Sequence, residues 1–208
     1  MNNKLDYDKE EPFKIIKSDF SDEDLNIFYQ HYLSLEWEED VYFFSGKKVF
    51  PKRKTFMMGY NYTYSGQEKI AKEFDEITLL IKNKIENFLD LPSNYFNGCL
   101  LNIYPDGDAS ISPHFDNEKE MDKNAIIISF SLGATRKFNF EHINKNNDNR
   151  FRKFKINNGD ILIMFPEAQE YWRHSIPKEK DVKECRISLT FRKFISDFKE
   201  EVDDSMDI

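Results

Sequence analysis

Cysteine is scarce in this sequence, which has only Cys99 and Cys185 among its 208 residues. Two cysteines so far apart cannot form a disulfide framework or a cysteine-based zinc site, so we expect a reducing, intracellular compartment, nucleus or cytoplasm. No apolar run approaches the roughly 18 residues of a membrane-spanning helix. Residues 1–11 are acidic and polar, whereas a secretory signal begins basic and continues apolar. We therefore expect neither secretion nor a membrane association.

Glycine and proline are also few, with 7 of each, and they form no low-complexity linker. Aromatic residues are abundant instead, with 20 Phe and 10 Tyr, which predicts a packed core rather than disorder. We expect a single domain over residues 12–196. A flexible acidic tail is expected over residues 1–11, and a second acidic tail over residues 197–208.

Positive charge is in deficit overall, but the deficit lies at the two ends of the chain. Of the net charge of −8, residues 1–40 carry −8 and residues 197–208 carry −5, which leaves residues 41–196 at +5. Residues 41–55 contain five cations and no acid. Such a segment attracts phosphate, although its charge alone is equally consistent with a solvated loop.

Two helices are predicted before the main run of strands. Ser21 can cap a helix over about residues 21–35, because the acidic residues that follow suit the helix N-terminus. Apolar residues three and four apart predict a longer helix that starts after Gly66 and ends at Leu91-Pro92. Between the two helices, short apolar pieces broken by turns predict hairpins in residues 37–66.

Short strands separated by loops rich in Asp, Asn, Gly and Pro dominate from residue 97 onward. They are predicted over residues 99–104, 125–131, 136–141, 151–156, 160–165 and 184–194. No helix is predicted between them, so we expect a double-stranded β-helix, or jelly roll, over residues 97–194. The expected fold class is mainly β with flanking helices (α+β), the N-terminal helices buttressing the sheet.

Two of the four histidines are candidate metal ligands. His114 and Asp116 are two residues apart, so on a strand they share a face. His174 lies far downstream, at a predicted strand start, and would add a third ligand. Two imidazoles and one carboxylate leave three positions of an octahedral metal open, as in non-haem Fe(II) oxygenases. A zinc hydrolase could use the same three ligands.

The segment at residues 186–192 is a second candidate site. Alternation along a strand places two arginines and two hydroxyls on one face, namely Arg186, Ser188, Thr190 and Arg192. Guanidinium groups pair bidentately with carboxylates, so this face suits a dicarboxylate. An amphipathic edge strand would explain the segment as well when it is taken alone, but its place twelve residues after His174 favours the binding face.

Six motifs occur in a fixed order along the chain: NIY at 102–104, HFDNE at 114–118, SLGATR at 131–136, GDILIM at 159–164, QEYWRH at 169–174 and RISLTFR at 186–192. With these motifs, residues 41–194 resemble the AlkB family of Fe(II)- and 2-oxoglutarate-dependent dioxygenases. The resemblance is to the branch that repairs alkylated bases in eukaryotic DNA and RNA, which carries His-x-Asp-x-Glu and a stretch like YTYSG at residues 62–66.

The resemblance implies an oxidative demethylase of bases such as N1-methyladenine and N3-methylcytosine that releases formaldehyde, succinate and CO2. It implies Fe(II) as the catalytic metal on His114, Asp116 and His174, with 2-oxoglutarate as cosubstrate. The implied cosubstrate contacts are Asn102, Tyr104, Arg186, Ser188 and Arg192, with Arg192 on the distal carboxylate and Arg186 beside the metal. Ser188 replaces the usual Asn, and its shorter hydroxyl is expected to lose that contact or to make it through water.

The resemblance also implies that residues 41–66 form a substrate lid of hairpins. Tyr62 and Tyr64 are the expected substrate-binding tyrosines, with Tyr64 stacked on an extruded base, and Glu118 faces the exocyclic edge of that base. A ring-methylated base is cationic, so a ring and a carboxylate would both favour it. Phe44 is the expected wedge in duplex DNA, with Phe43 as the alternative because the strand phase near the turn is open. Ordinary packing stays open for the aromatic residues, as does a solvated acid for Glu118.

Two alternatives to a nucleic-acid demethylase stay open at this stage. One is a dioxygenase acting on a protein side chain, and the other is a catalytically inactive nucleic-acid-binding module. The intact triad and both arginines argue against the inactive module. The basic segment with its aromatic residues favours nucleic acid over protein. The expected partner is alkylated DNA or RNA, bound by a monomer.

Overall fold

The computed structural model describes residues 4–39, 41–44, 47–64, 67–146 and 150–195, without the side chains of 42–44, 47, 62–64 and 67–69. Within these residues the strands are β1 (Phe13–Lys17), β2 (Glu38–Glu39), β3 (Tyr42–Phe44), β4 (Lys47–Val49), β5 (Lys54–Met58), β6 (Tyr62–Tyr64), β7 (Gln67–Lys69), β8 (Gly98–Tyr104), β9 (Ile111–His114), β10 (Ile127–Gly133), β11 (Arg136–His142), β12 (Phe151–Ile156), β13 (Asp160–Met164), β14 (Trp172–Ile176) and β15 (Arg186–Arg192). The helices are α1 (Asp22–Leu33), α2 (Glu76–Phe88) and α3 (Pro166–Tyr171).

Two antiparallel sheets form the expected jelly roll. The larger sheet has the strand order β1-β13-β10-β15-β8-β5-β2, and the smaller one has the order β12-β11-β14-β9. Helices α1 and α2 bury Phe28 and Ile81 in the same core as Leu101 and Leu189 of the larger sheet. The expected mainly β architecture, with helices against the sheet, is therefore confirmed.

The helix predictions are confirmed in kind but not in every boundary. Ser21 caps α1 with a capping box in which it exchanges hydrogen bonds with Asp24. The second helix begins later than expected, because Asp75 caps it by accepting from the Thr78 amide at 2.7 Å. Residues 67–69, which were expected at the start of this helix, form β7 and pair with β6. The apolar spacing that begins at Ile70 therefore extends beyond the true helix.

The N-terminal segment is docked rather than flexible over its described residues. The Tyr7 ring stacks on Phe165 with centroids 3.7 Å apart, and its hydroxyl donates to Glu167 at 2.8 Å. Lys4 donates to the Phe88 carbonyl at the end of α2. The expectation of a flexible tail over residues 1–11 is wrong for residues 4–11. It was based on the acidic composition of the segment, whereas the contacts are made by individual residues such as Lys4 and Tyr7. Residues 197–208 lie outside the description.

The expected hairpins are present as two small sheets, in which β3 pairs with β4 and β6 with β7. The side chains of Phe44, Tyr62 and Tyr64 lie outside the described part of the chain, so the stacking and wedge roles expected of them stay predictions. Among the described residues, no helix has the length and the apolar character that crossing a bilayer requires.

Candidate active site

The three expected metal ligands lie together between the two sheets. His114 is the last residue of β9 and pairs directly with His174 of β14. Asp116 follows in an irregular segment, so the expectation that His114 and Asp116 share a strand face is wrong, because β9 ends before Asp116. The ligand atoms of the three residues nevertheless lie within 4.8 Å of one another.

Hydrogen bonds orient two of these three residues. The His114 Nδ1 lies 2.9 Å from the Ser112 carbonyl, to which it donates as N–H, and this leaves Nε2 to face the Asp116 carboxylate at 3.5 Å. The Asp116 amide donates to Gln169 Oε1 of α3 at 2.8 Å. His174 Nε2 lies 3.9 Å from the same Asp116 oxygen. The loop and both strands therefore aim their ligand atoms at one point.

The electrostatics of the triad favour the protonation states that bind a metal. Burial raises the pKa of Asp116, but the Arg192 guanidinium and both imidazoles outweigh it and hold that pKa well below its usual range. Burial, with a smaller contribution from His114, lowers the pKa of His174 to about 3. An ionised carboxylate and a neutral imidazole are the ligating forms. The residues thus fit one divalent first-row metal with nitrogen and oxygen ligands.

The three ligands line a cavity between the sheets. The same cavity is lined by β15 through Arg186, Ser188, Thr190 and Arg192, and by β8 through Asn102 and Tyr104. On the opposite face of β15, Ile187, Leu189 and Phe191 belong to the core. The alternation expected from the sequence is therefore present, although both faces of the strand are buried.

Arg186 offers unused donors to this cavity. Its side chain is 1% exposed, and its Nη2 donates to Ser131 Oγ at 2.7 Å. Nε and Nη1 of the same guanidinium are buried and have no hydrogen-bond partner among the described residues. Burial lowers the pKa of Arg186 to about 10, which leaves it protonated at neutral pH. A buried cation with two spare donors fits one end of a dicarboxylate.

Arg192 lies at the metal end of the cavity. Its Nη2 is 2.9 Å from Asp116 Oδ2, and its Nη1 is 3.6 Å from Glu118 Oε1. The expectation that Arg186 is the arginine beside the metal is therefore wrong, since Arg192 occupies that place. Alternation shows which residues share a face, but it does not show which end of the strand meets the metal. Over six residues these ends are about 20 Å apart.

Glu118 is enclosed rather than solvated. Its side chain is 9% exposed, and both carboxylate oxygens are without a hydrogen-bond partner among the described residues. Burial raises its pKa, and the negative charge of Asp116 adds to the rise while Arg192 opposes it. It lines the groove outside the cavity together with Asp116 and Gln169. The solvated loop acid left open from the sequence does not describe this residue.

Sequence reasoning missed Arg53, which it counted only as one cation of a basic segment. The side chain is 2% exposed, lines the same cavity as the triad, and donates through Nη1 to Asn102 Oδ1. Its neighbours Lys52 and Lys54 pair with Asp108 at 2.9 Å and Glu39 at 3.1 Å. The available signal was alternation, because Arg53 has the same parity as the buried Thr55 and Met57.

Comparison with known proteins agrees with this geometry. The family model described as the 2OG-Fe(II) oxygenase superfamily matches residues 18–192. The DNA oxidative demethylase ALKBH2 of Mus musculus is 30% identical over 177 residues, covering 77% of this chain and 73% of that protein. The alpha-ketoglutarate-dependent dioxygenase alkB homolog 3 of Bos taurus is 35% identical over 141 residues, and the match spans 63% of this chain but only 47% of that protein.

A solved structure of OsALKBH1 has the same fold. It superposes with a TM-score of 0.59 over 88% of this chain and 98% of that chain, at 19% identity. The extent of the family match and the ALKBH2 relationship are sufficient to assign the family. The chain therefore belongs to the AlkB family of the 2OG-Fe(II) oxygenase superfamily, the dioxygenases that use Fe(II) and 2-oxoglutarate.

Proposed function

We propose that this protein is an oxidative demethylase of alkylated nucleic-acid bases of the N1-methyladenine and N3-methylcytosine type. The observation that carries the proposal is a single cavity that joins a complete His-Asp-His triad to a buried arginine with spare donors. The names of the ALKBH2 relatives supply the class of reaction. One O2 and one 2-oxoglutarate are consumed per methyl group, and succinate, CO2 and formaldehyde are released.

The residues take distinct roles in this proposal. His114, Asp116 and His174 hold Fe(II), which supplies the oxidising chemistry when it is bound. Arg186 binds the distal carboxylate of 2-oxoglutarate, with Tyr104 beside it, since the Arg186 guanidinium lies 5.4 Å from that ring. Arg192 holds Asp116 in place through the 2.9 Å ion pair. These groups bind and orient, and the enclosing sheets exclude water from the cavity.

Glu118 supports the choice of a cationic base as substrate. A carboxylate with unused oxygen lone pairs sits at the edge of the metal cavity, 3.6 Å from Arg192. Methylation at a ring nitrogen gives the base a positive charge and leaves its exocyclic amino group as a donor. Such a base gains from a nearby acceptor with negative charge, whereas an unmodified base gains less. A catalytically inactive binding module would require neither the complete triad nor the buried Arg186, so this alternative does not explain the site.

The test is a formaldehyde assay with Fe(II), 2-oxoglutarate and a panel of methylated oligonucleotides. We expect formaldehyde from N1-methyladenine and N3-methylcytosine, and none from the His174→Ala or Asp116→Ala protein. Glu118→Gln should lower turnover of these cationic bases and spare the 2-oxoglutarate consumption seen without substrate. If no methylated base yields formaldehyde while a peptide panel does, the protein acts on a side chain and the proposal fails.

A further inference from the structure

Two grooves of similar size are lined by different members of the triad. The hairpin groove, of about 560 Å³, is lined by residues 49–53 and 110–114 and by Lys178. The acidic groove, of about 660 Å³, runs between residues 115–127 and residues 166–170. His114 lines the first and Asp116 lines the second, so both grooves open at the same metal site.

The two grooves carry opposite charge. The hairpin groove is lined by Lys52, Arg53 and Lys178 against one acid, Asp108, which pairs with Lys52. Arg53 is buried, so Lys178 is the cation that faces the groove without a described ion pair. The acidic groove is lined by one cation, Lys123, against the carboxylates of Asp116, Glu118, Asp122, Glu167 and Glu170. A nucleic-acid strand bears a negative charge on every phosphate, so it is attracted to the first groove and repelled from the second.

The hairpin groove also presents an exposed apolar wall. Phe50 is 60% exposed and Val49 is 44% exposed, and both line the groove that His114 also lines. The hydroxyl residues Ser110 and Ser112 line the same groove. An aromatic platform, a cation and hydroxyl donors together are what single-stranded nucleic-acid sites use, because every base has a face that stacks and every phosphate accepts hydrogen bonds.

We propose that the nucleotide next to the extruded base lies in the hairpin groove, with its base stacked on Phe50 and its phosphate beside Lys178. The inference rests on the proposed function and extends it from the methylated base to its neighbour. The strand then continues away from the acidic groove, which places the Glu118 side of the site against the base alone.

Substrate length provides the first test. Phe50→Ala should raise the KM for a methylated single-stranded pentanucleotide about tenfold, the usual loss for one stacked base, and should leave kcat nearly unchanged. The KM for N1-methyladenosine monophosphate should not change, because a mononucleotide has no neighbour to stack. Phe50→Trp should retain the wild-type KM for the pentanucleotide. Equal losses on both substrates, or no loss on either, would overturn the proposal.

Binding measurements separate this inference from the proposed function. Fluorescence anisotropy with an unmodified single-stranded oligonucleotide needs no demethylation, and both Phe50→Ala and Lys178→Glu should weaken binding several-fold. The matched controls are Phe151→Ala, another ring that is 48% exposed, and Lys123→Glu in the acidic groove, which should have little effect. Binding that depends on Phe50 in a protein without demethylase activity would reject only the function. If the protein is an active demethylase but neither Phe50→Ala nor Lys178→Glu changes its affinity for the oligonucleotide, only the groove assignment is rejected.

Discussion

Replacing Arg186 should weaken the binding of 2-oxoglutarate directly. Its Nε and Nη1 have no hydrogen-bond partner among the described residues, so Arg186→Leu removes donors that are used only when 2-oxoglutarate is bound. We expect the KM for 2-oxoglutarate to rise roughly a hundredfold, the equivalent of about 3 kcal/mol for losing one partner of a buried charge pair. Steady-state consumption of 2-oxoglutarate measures this change.

Arg173→Leu is the matched control for that variant, since Arg173 is 40% exposed and pairs with Glu141 on the outside of the smaller sheet. Its KM for 2-oxoglutarate should stay within about twofold of the wild type, as expected for an exposed pair. A similar rise in both variants would show that the Arg186 effect is not specific to the carboxylate.

Gln169 should influence the metal without touching it. Its Oε1 accepts the Asp116 amide at 2.8 Å, and its Nε2 lies 3.6 Å from the Met164 sulfur, so the side chain is held at both ends. Gln169→Leu should weaken metal affinity about tenfold, the usual effect of losing a partner that orients a ligand. Titration with Mn(II) measures the affinity. Glu170→Leu, an exposed position on the same helix, should bind as the wild type does.

Individual residues also show which parts of the site could be predicted from the sequence. The alternating face of β15 could be located from spacing, because period two is a local property of a strand. The triad could be located from its residue types and the order of the motifs, although Asp116 lies beyond the end of β9. The order of Arg186 and Arg192 relative to the metal could not, because it depends on how β15 is placed against β9 and β14. Arg53 was hidden for a related reason: its side chain is buried by β8, which follows more than forty residues later.

Helix α2 contains a buried ion pair that fixes the start of β8. Lys82 and Glu86 have side chains only 2% exposed and lie 3.2 Å apart. Glu86 also accepts from the backbone amides of Asn94 and Phe96 at 3.1 and 2.9 Å. The Glu86 carboxylate therefore joins α2 to the loop that leads into β8.

Glu86→Ala should destabilise the fold by about 3–5 kcal/mol, because it leaves the buried Lys82 ammonium without its counter-charge and two amides without an acceptor. Urea denaturation followed by circular dichroism gives the free energy of unfolding. Glu76→Ala, at an exposed position in the first turn of α2, should cost no more than about 1 kcal/mol. A small effect at Glu86 would mean that water replaces the carboxylate.

Charge is separated along the whole chain, with −8 in residues 1–40, +5 in residues 41–196 and −5 in residues 197–208. The negative charge of residues 197–208 repels a nucleic-acid strand, so removing these residues should tighten binding of a single-stranded oligonucleotide several-fold at about 20 mM salt. The difference should disappear near 0.5 M salt, where the screening length is only a few ångströms. Anisotropy titrations at the two salt concentrations measure it.

A full-length variant in which the six acids of residues 197–208 become amides is the control for that truncation. It keeps the chain length and removes the charge, so it should bind as the truncated protein does. If truncation tightens binding and neutralisation does not, the segment acts through its bulk rather than through its field.

Strand β15 occupies the centre of the seven-stranded sheet, flanked by β10 and β8, and all seven of its residues are buried. Amide protons in such a strand exchange with solvent only when the whole domain opens. The two hairpins belong to neither large sheet, so their opening would not require β15 to open. The proposed 2-oxoglutarate site lies on this central strand, which favours an ordered sequence in which the cosubstrate binds first and the polymer second.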